Sequence, residues 1–182
     1  MANLISSSHF TGHIAIPGIA EPAVASALNT LILLHEDTFL EKVLGRALAD
    51  LFKAGISVVS PAQKWKDLRD GVIYTYDDRS YRFDGLAPSP ASGKLSPIAA
   101  FTYYWWCRGK GVTLTTSGGV TTAPEGSKVA SLGPNERHAW NNIMRPSLAG
   151  LYLYLTHHAE LYPEWEEPAG GWWYSFNPIP LF

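Results

Sequence analysis

Apolar positions between Glu21 and Phe52 recur by threes and fours: Leu28, Leu31, Ile32, Leu34, Phe39, Leu40, Val43 and Leu44, then Leu48, Leu51 and Phe52. That is the repeat of an amphipathic helix, in which side chains three and four apart share a face. Pro22 suits a first turn, where its missing N–H is not needed. Gly45 is placed to bend or end this helix, and Gly55 to cap the shorter stripe that follows. A further helical turn is predicted in "QKWKDLRDG", ending at Gly71. The period then changes. "VIYTYDDRSYRF" alternates on both sides of Asp77-Asp78, with Tyr74 and Tyr76 set to face Tyr81 and Phe83, which predicts a β-hairpin over about residues 72–84.

Ser96-Pro97 opens the most apolar segment, "SPIAAFTYYWWCRGKG". Serine offers an oxygen to free backbone N–H groups and proline suits the first helical position, so a helix is expected to start there and to end at Gly109 and Gly111. Phe101, Tyr104, Trp105 and Arg108 fall on one face, and Tyr103, Trp106, Cys107 and Lys110 on another. A helix with apolar residues on both faces must be covered on both sides. Residues 112–132 are rich in Thr, Gly and Ser and read as a loop longer than compact domains usually leave unstructured, which points to function or disorder. After Gly133-Pro134-Asn135 a last helix carries Ala139, Trp140, Ile143, Met144, Leu148, Leu151, Tyr152 and Leu155, with Pro146 expected to kink or break it near Arg145.

The two ends lack helical period. Residues 1–20, with a turn at Pro17-Gly18, read as an extended N-terminal arm, and residues 163–182 as an extended, aromatic C-terminal tail. The expected fold is therefore mainly α. A helical bundle over 21–162 carries a small β-hairpin and a long inter-helix loop, and an extended arm leads off at each terminus.

Composition sharpens this picture. With 7 Trp, 9 Tyr and 7 Phe in 182 residues, the chain holds more aromatic surface than a domain of this size usually buries in full. A net charge of −2 argues against a protein that coats nucleic acid through bulk positive charge. The single cysteine, Cys107, excludes an intrachain disulfide and a cysteine-based zinc site. No basic-then-apolar leader and no bilayer-length apolar run is visible, so the expectation is a soluble protein made in the cytosol.

Candidate chemistry is sparse. His9 and His13 lie in the arm, and His35-Glu36-Asp37 starts like a zinc-protease motif but has Phe39 where the second histidine belongs. His157 and His158 are adjacent and would point apart on a helix. Asp77-Asp78 suit a turn and Glu166-Glu167 a solvated tail. Cys107 has no histidine near in sequence to activate it and reads as a core residue. Phosphate-loop and nucleophile-elbow spacings are missing. No catalytic, metal-binding or cofactor-binding set is expected, and the chain is not expected to be an enzyme.

The aromatics carry a different signal. Trp105 and Trp140 suit the core. Trp172, Trp173, Tyr174 and Phe176 lie in the tail, where four large aromatics need something to dock on, either their own domain or a neighbour. Lys64, Lys66, Arg69, Arg79 and Arg82 surround the hairpin and would either face DNA or form a solvated surface.

Several of these segments, in their order, resemble a known family: "EDTFLEKVLGRALADLF", "KWKDLRDG", "LSPIAAFTYYWWCRGKGVTLTTSGGVTTAPEGSKVA", "RHAWNNIM" and "YPEW". The likeness runs from about residue 36 to 165 and is to head–tail adaptor proteins (connector, neck or head-completion proteins) of tailed bacteriophages of Bacteroidota, including crAss-like phages. The tail after Pro168 lies outside it. The resemblance implies a virion protein forming a homo-oligomeric, dodecameric ring that binds the portal protein and meets tail or further neck proteins. Double-stranded DNA would pass through such a ring during genome ejection, and no membrane is involved. It implies that Tyr103 and Trp106 present the second face of the aromatic helix to the adjacent protomer. Thr115, Thr116, Val120 and Thr121 would then reach out on a loop that orders on assembly, with Trp172, Trp173, Tyr174 and Phe176 as further contacts, and Lys64, Lys66, Arg69, Arg79 and Arg82 near the DNA channel. The competing expectation is a monomeric aromatic-rich binding module, for instance for glycans, stacking on Trp172, Trp173 and Tyr174. The helical stripes argue against it, since such modules are usually β-sandwiches.

Overall fold

A computed structural model of the chain describes residues 3–110, 113–115, 118–120 and 133–166. In chain order these form α1 (Pro22–Leu44), α2 (Arg46–Ile56), α3 (Gln63–Asp70), β1 (Val72–Tyr76), β2 (Arg79–Phe83), α4 (Pro97–Lys110), β3 (Thr113–Thr115), β4 (Gly118–Val120), α5 (Gly133–His138), a π-helical stretch (Ala139–Met144) and α6 (Arg145–His157). The architecture is mainly α with a small antiparallel hairpin, as the patterns predict.

α4 lies at the centre. Its residues from Ile98 to Tyr104, together with Trp106 and Cys107, are all buried, and Trp105 is half-buried. On one side α1 supplies Phe39, whose ring centroid is 5.5 Å from that of Phe101, and His35, which stacks on Trp105 at 5.2 Å. On another side the π-helical stretch brings Trp140 to 5.8 Å from Tyr104. Ala99 and Ala100 are small enough to let neighbouring backbone approach. Ser96 caps the helix as its sequence predicts: its Oγ accepts the Ala99 N–H at 3.2 Å and donates to the Leu86 carbonyl at 2.7 Å.

The remaining cover for α4 and α1 comes from the N-terminal stretch. Residues 3–20 do not stand away from the domain as an arm: Ile5, Phe10, Ile14 and Ile16 are buried in the common core. Two short 3₁₀ turns, Ser7–His9 and Gly12–Ile14, give this stretch an irregular path, so its apolar residues carry no regular period to read. Its start is fixed by a buried carboxylate. The Leu4 N–H donates to both oxygens of Glu36, at 2.9 and 3.1 Å, and the Ile5 N–H donates to Oε2 at 3.2 Å. Burial pushes the Glu36 carboxyl above the usual range, against the pull of these two N–H groups.

Four other expectations are corrected. Gly55 lies inside α2 and does not cap it, because the Trp65 indole packs where its β-carbon would stand; the helix ends instead at Ser57, whose Oγ donates to the Lys53 carbonyl. Leu34 points outward, since the core-facing stripe of α1 is narrower than the run of apolar residues suggests. In the hairpin Tyr74 pairs with Tyr81 as expected, but Phe83 opposes Val72, and Tyr76 opposes Arg79. Within the expected 112–132 loop, Thr113–Thr115 and Gly118–Val120 pair as a second antiparallel hairpin, and the rest of that segment lies outside the described residues. Near Pro146 the last helix is neither straight α nor interrupted: a π-helical stretch ends at Met144 and α6 starts at Arg145. The Arg145 N–H bonds to the Trp140 carbonyl five residues back, and this π turn removes the need for the donor that proline lacks.

The base of the β1–β2 hairpin is locked by two glycines with left-handed backbone, Gly71 (φ 84°) and Gly85 (φ 90°). The chain leaving β2 runs back along the end of α3, with Leu86 N–H on the Leu68 carbonyl and Ala87 N–H on the Arg69 carbonyl, both at 2.9 Å. A β-carbon on Gly85 would collide with the backbone of Arg69 to Gly71, and one on Gly71 with the backbone at Phe83 and Asp84.

Two measurements check this account. Gly85→Ala is expected to cost about 3 kcal/mol or more in urea unfolding, left-handed backbone and overlap each contributing about 1–2. Gly12→Ala has the same backbone hand (φ 58°) in open surroundings and should cost only about 1. For Glu36 the sign follows from its raised pKa. Its contribution to stability is full below the usual carboxylate range and is lost as pH rises through the raised value. The stability of the wild type relative to Glu36→Gln should therefore fall with rising pH across that window, and a flat or rising difference would contradict the burial cause.

Candidate interaction surface

The β1–β2 hairpin turns at Asp77 (φ 48°) and Asp78 (φ 57°), two residues whose short polar side chains tolerate this backbone and whose primed turn matches strand twist. Alternation then places Val72, Tyr74 and Tyr76 with Phe83, Tyr81 and Arg79 on the face toward α6, and Ile73, Thr75, Ser80 and Arg82 on the other.

Toward α6 the contacts form a continuous aromatic chain. Tyr76 stacks parallel on His157 at 3.9 Å, Tyr81 meets the same ring edge-on at 4.8 Å, and the Tyr74 hydroxyl is 3.1 Å from its Nδ1. Tyr74 also packs on Tyr154 at 5.4 Å and on His158 at 4.8 Å, and His158 is tethered through Nδ1 to the Tyr154 carbonyl. Further in, the Tyr154 and Tyr162 hydroxyls are 3.1 Å apart, and Tyr162 donates to the Lys64 carbonyl at 2.8 Å. Trp65 and Phe52 complete the path to α2. Burial pushes the Tyr74, Tyr154 and Tyr162 phenols up, so all three stay protonated and take part in hydrogen bonding and packing. On α4 burial likewise raises the Cys107 thiol and pushes Tyr103 up to about 12, which leaves Cys107 a poor nucleophile.

The described residues include only part of the set singled out by sequence. Tyr103 and Trp106 are buried within this chain, because the second face of α4 is covered by the chain itself, so they are not presented outward as expected. Thr115 closes β3 and Val120 closes β4, while Thr116, Thr121, Trp172, Trp173, Tyr174 and Phe176 lie outside the described residues. Among the basic residues, Arg69 forms a two-bond pair with Asp70 at 2.7 and 2.8 Å, and Arg82 Nε binds Asp84 at 2.5 Å. Lys64 donates to the Leu161 carbonyl at 3.1 Å with its ammonium over the Trp65 ring. Lys66 is half-buried and Arg79 is exposed beside the hairpin turn. They do not form a continuous basic row, since acids are interleaved with them.

What sequence reading did not single out is where the apolar surface is left open. Leu33 and Leu34 on α1 are 63% and 61% exposed, and Ile73 and Tyr76 on the hairpin 72% and 47%. Ile73 had a readable signal, since it occupies the outward, polar phase of its strand. Among the described residues no three His, Cys, Asp or Glu side chains gather to hold a metal ion, and no helix is long and apolar enough to cross a membrane. Comparison with protein-family models, with curated proteins and with solved structures returns no match for this chain.

The aromatic chain makes His157 the pin that holds the hairpin. His157→Ala should cost about 1–2 kcal/mol, from one ring stack and one hydrogen bond. Amide exchange across residues 72–83 should accelerate while α1 and α4 stay protected. Equal acceleration everywhere would show that the hairpin does not open separately.

Proposed function

We propose that this chain is a structural virion protein, a subunit of a phage head–tail adaptor ring that joins portal to tail and lets DNA pass, without catalytic activity. The observation that carries this reading is the ordered set of segments resembling that family. They fall on α1–α2, α3, α4 and the π-helical stretch, the elements that build the core. Two unlike apolar surfaces support it, Leu33 and Leu34 on a helix and Ile73 on the outer face of a hairpin. A ring closes through head-to-tail contacts, whose donor and acceptor surfaces must differ. The interface role that the aromatic helix would have had passes to these surfaces. The pairing of Arg69 with Asp70 suits a passage that does not grip DNA, since each phosphate contact would add to affinity and to its salt dependence.

The test is direct. Purified alone at low concentration, the chain should be monomeric or weakly oligomeric by light scattering. In virions, mass spectrometry should detect it and cryo-electron microscopy should place it as a ring below the portal. Leu34→Asp and Ile73→Asp should each reduce incorporation while changing stability by no more than about 0.5 kcal/mol, as exposed substitutions do. Absence of the chain from virions overturns the proposal.

A further inference from the structure

Behind the outer face of the hairpin lies a cleft of about 350 Å³, walled by β2 and the following chain on one side and by the π-helical stretch and first turns of α6 on the other. Three charged residues line it: Arg82, Lys94 and Asp84. Asp84 Oδ1 serves both cations, with Arg82 Nε at 2.5 Å and Lys94 Nζ at 3.7 Å, so the cleft holds one positive charge in excess. The neighbouring acid, Asp70, does not offset it, because its carboxylate is taken by Arg69.

The hydrogen-bond inventory points the same way. Arg82 uses only Nε among the described residues, which leaves the outer N–H groups of its guanidinium without partners. On the α6 wall Ser147 is half-buried, and its hydroxyl makes no hydrogen bond among the described residues. The Asn142 amide nitrogen, 2.9 Å from His138 Nδ1, retains a second N–H. Gly150 adds no side chain to the wall, and the π turn that accommodates Pro146 forms its rim, a helical irregularity that recurs at functional sites. Residues with donors to spare thus line a concave space with unbalanced positive charge, although Lys94 Nζ also donates to the Asp70 carbonyl at 3.3 Å.

We propose that this cleft is a binding site for an oxyanion, and that its occupant is the carboxylate of an acidic side chain on a partner protein. Arg82 presents a planar fork that matches a carboxylate, Lys94 adds charge, and Ser147 and Asn142 close the opposite side. Duplex DNA fits the geometry less well. Its phosphates form a convex row that calls for a line of cations, whereas these two cations share a single acid in a recess and the nearby Arg69 is already paired. The proposal stands independently of the ring.

The test uses the full chain, labelled with ¹⁵N, titrated with N-acetyl-glutamate methylamide and, at matched ionic strength, with its glutamine counterpart. The glutamate probe should shift the amides of Gly93, Lys94, Ile143 and Ser147 saturably, and the glutamine probe should not. Arg82→Gln and Lys94→Gln should each weaken the response about tenfold, the loss expected for one charged hydrogen bond, with the rest of the spectrum unchanged. Arg79→Gln, outside the cleft, should leave it intact. An equal response to both probes, no saturable shift, or undiminished binding by folded Arg82→Gln and Lys94→Gln proteins overturns the proposal. So does a short DNA duplex that moves the same amides at lower concentration than the glutamate probe.

Discussion

α4 has no polar face over most of its length, and that constraint organises the molecule. A helix whose successive residues from Ile98 to Tyr104 are all buried cannot lie on a surface. It has to be enclosed, and each fully buried large apolar side chain contributes about 1.5–3 kcal/mol toward doing so. α1 and the π-helical stretch cover two sides. The irregular N-terminal residues extend the cover, tied at their start to the Glu36 carboxylate. A charged or half-satisfied group at that point is costly in a dry interior, so the two N–H donors of Leu4 and Ile5 and the carboxylate specify one another. The stretch that looked least structured in sequence is thereby part of the core.

The hairpin depends on that core at second hand. Two strands of five residues are marginal by themselves. They hold because Gly71 and Gly85 let backbone cross backbone at the base, and because the tyrosines of one face join α6 through His157, His158 and Tyr154. The hydrogen-bonded pair Tyr154 and Tyr162 carries the same packing on to Lys64 and Trp65. Tyr74, Tyr154 and Tyr162 each have a partner for the hydroxyl, which is why these phenols are tolerated below the surface.

Enclosing α4 also decides which surfaces face outward. With the aromatic helix used up inside, the open apolar residues include those of the outer side of α1 and of the hairpin, along with Val58 and Val59 after α2. Positive charge near the hairpin is distributed among Asp70 and Asp84 rather than gathered, apart from the single excess cation in the cleft behind β2. Assembly by unlike surfaces and recognition of one acidic group are both compatible with that distribution. Bulk attraction for nucleic acid is not.

Local pattern by itself determined the element types. The threes and fours of α1, the Ser96-Pro97 opening of α4, the alternation around Asp77-Asp78 and the stop at Gly71 are set by rules acting over a few residues, and the structure follows them. The need for α4 to be covered on both sides was equally legible. What covers it was not, because Ile5, Phe10, Ile14 and Ile16 share no period and only their arrival at the core gives them meaning. Tertiary structure alone assigned Gly55 to the Trp65 indole, turned Leu34 outward, and made the kink or break expected near Arg145 a π-helical stretch just before it. It alone brought Arg82, Lys94 and Asp84 opposite Ser147. Periodicity reports which way a residue faces relative to its own helix or strand. Which partner stands there is fixed by long-range packing, and no local pattern encodes it.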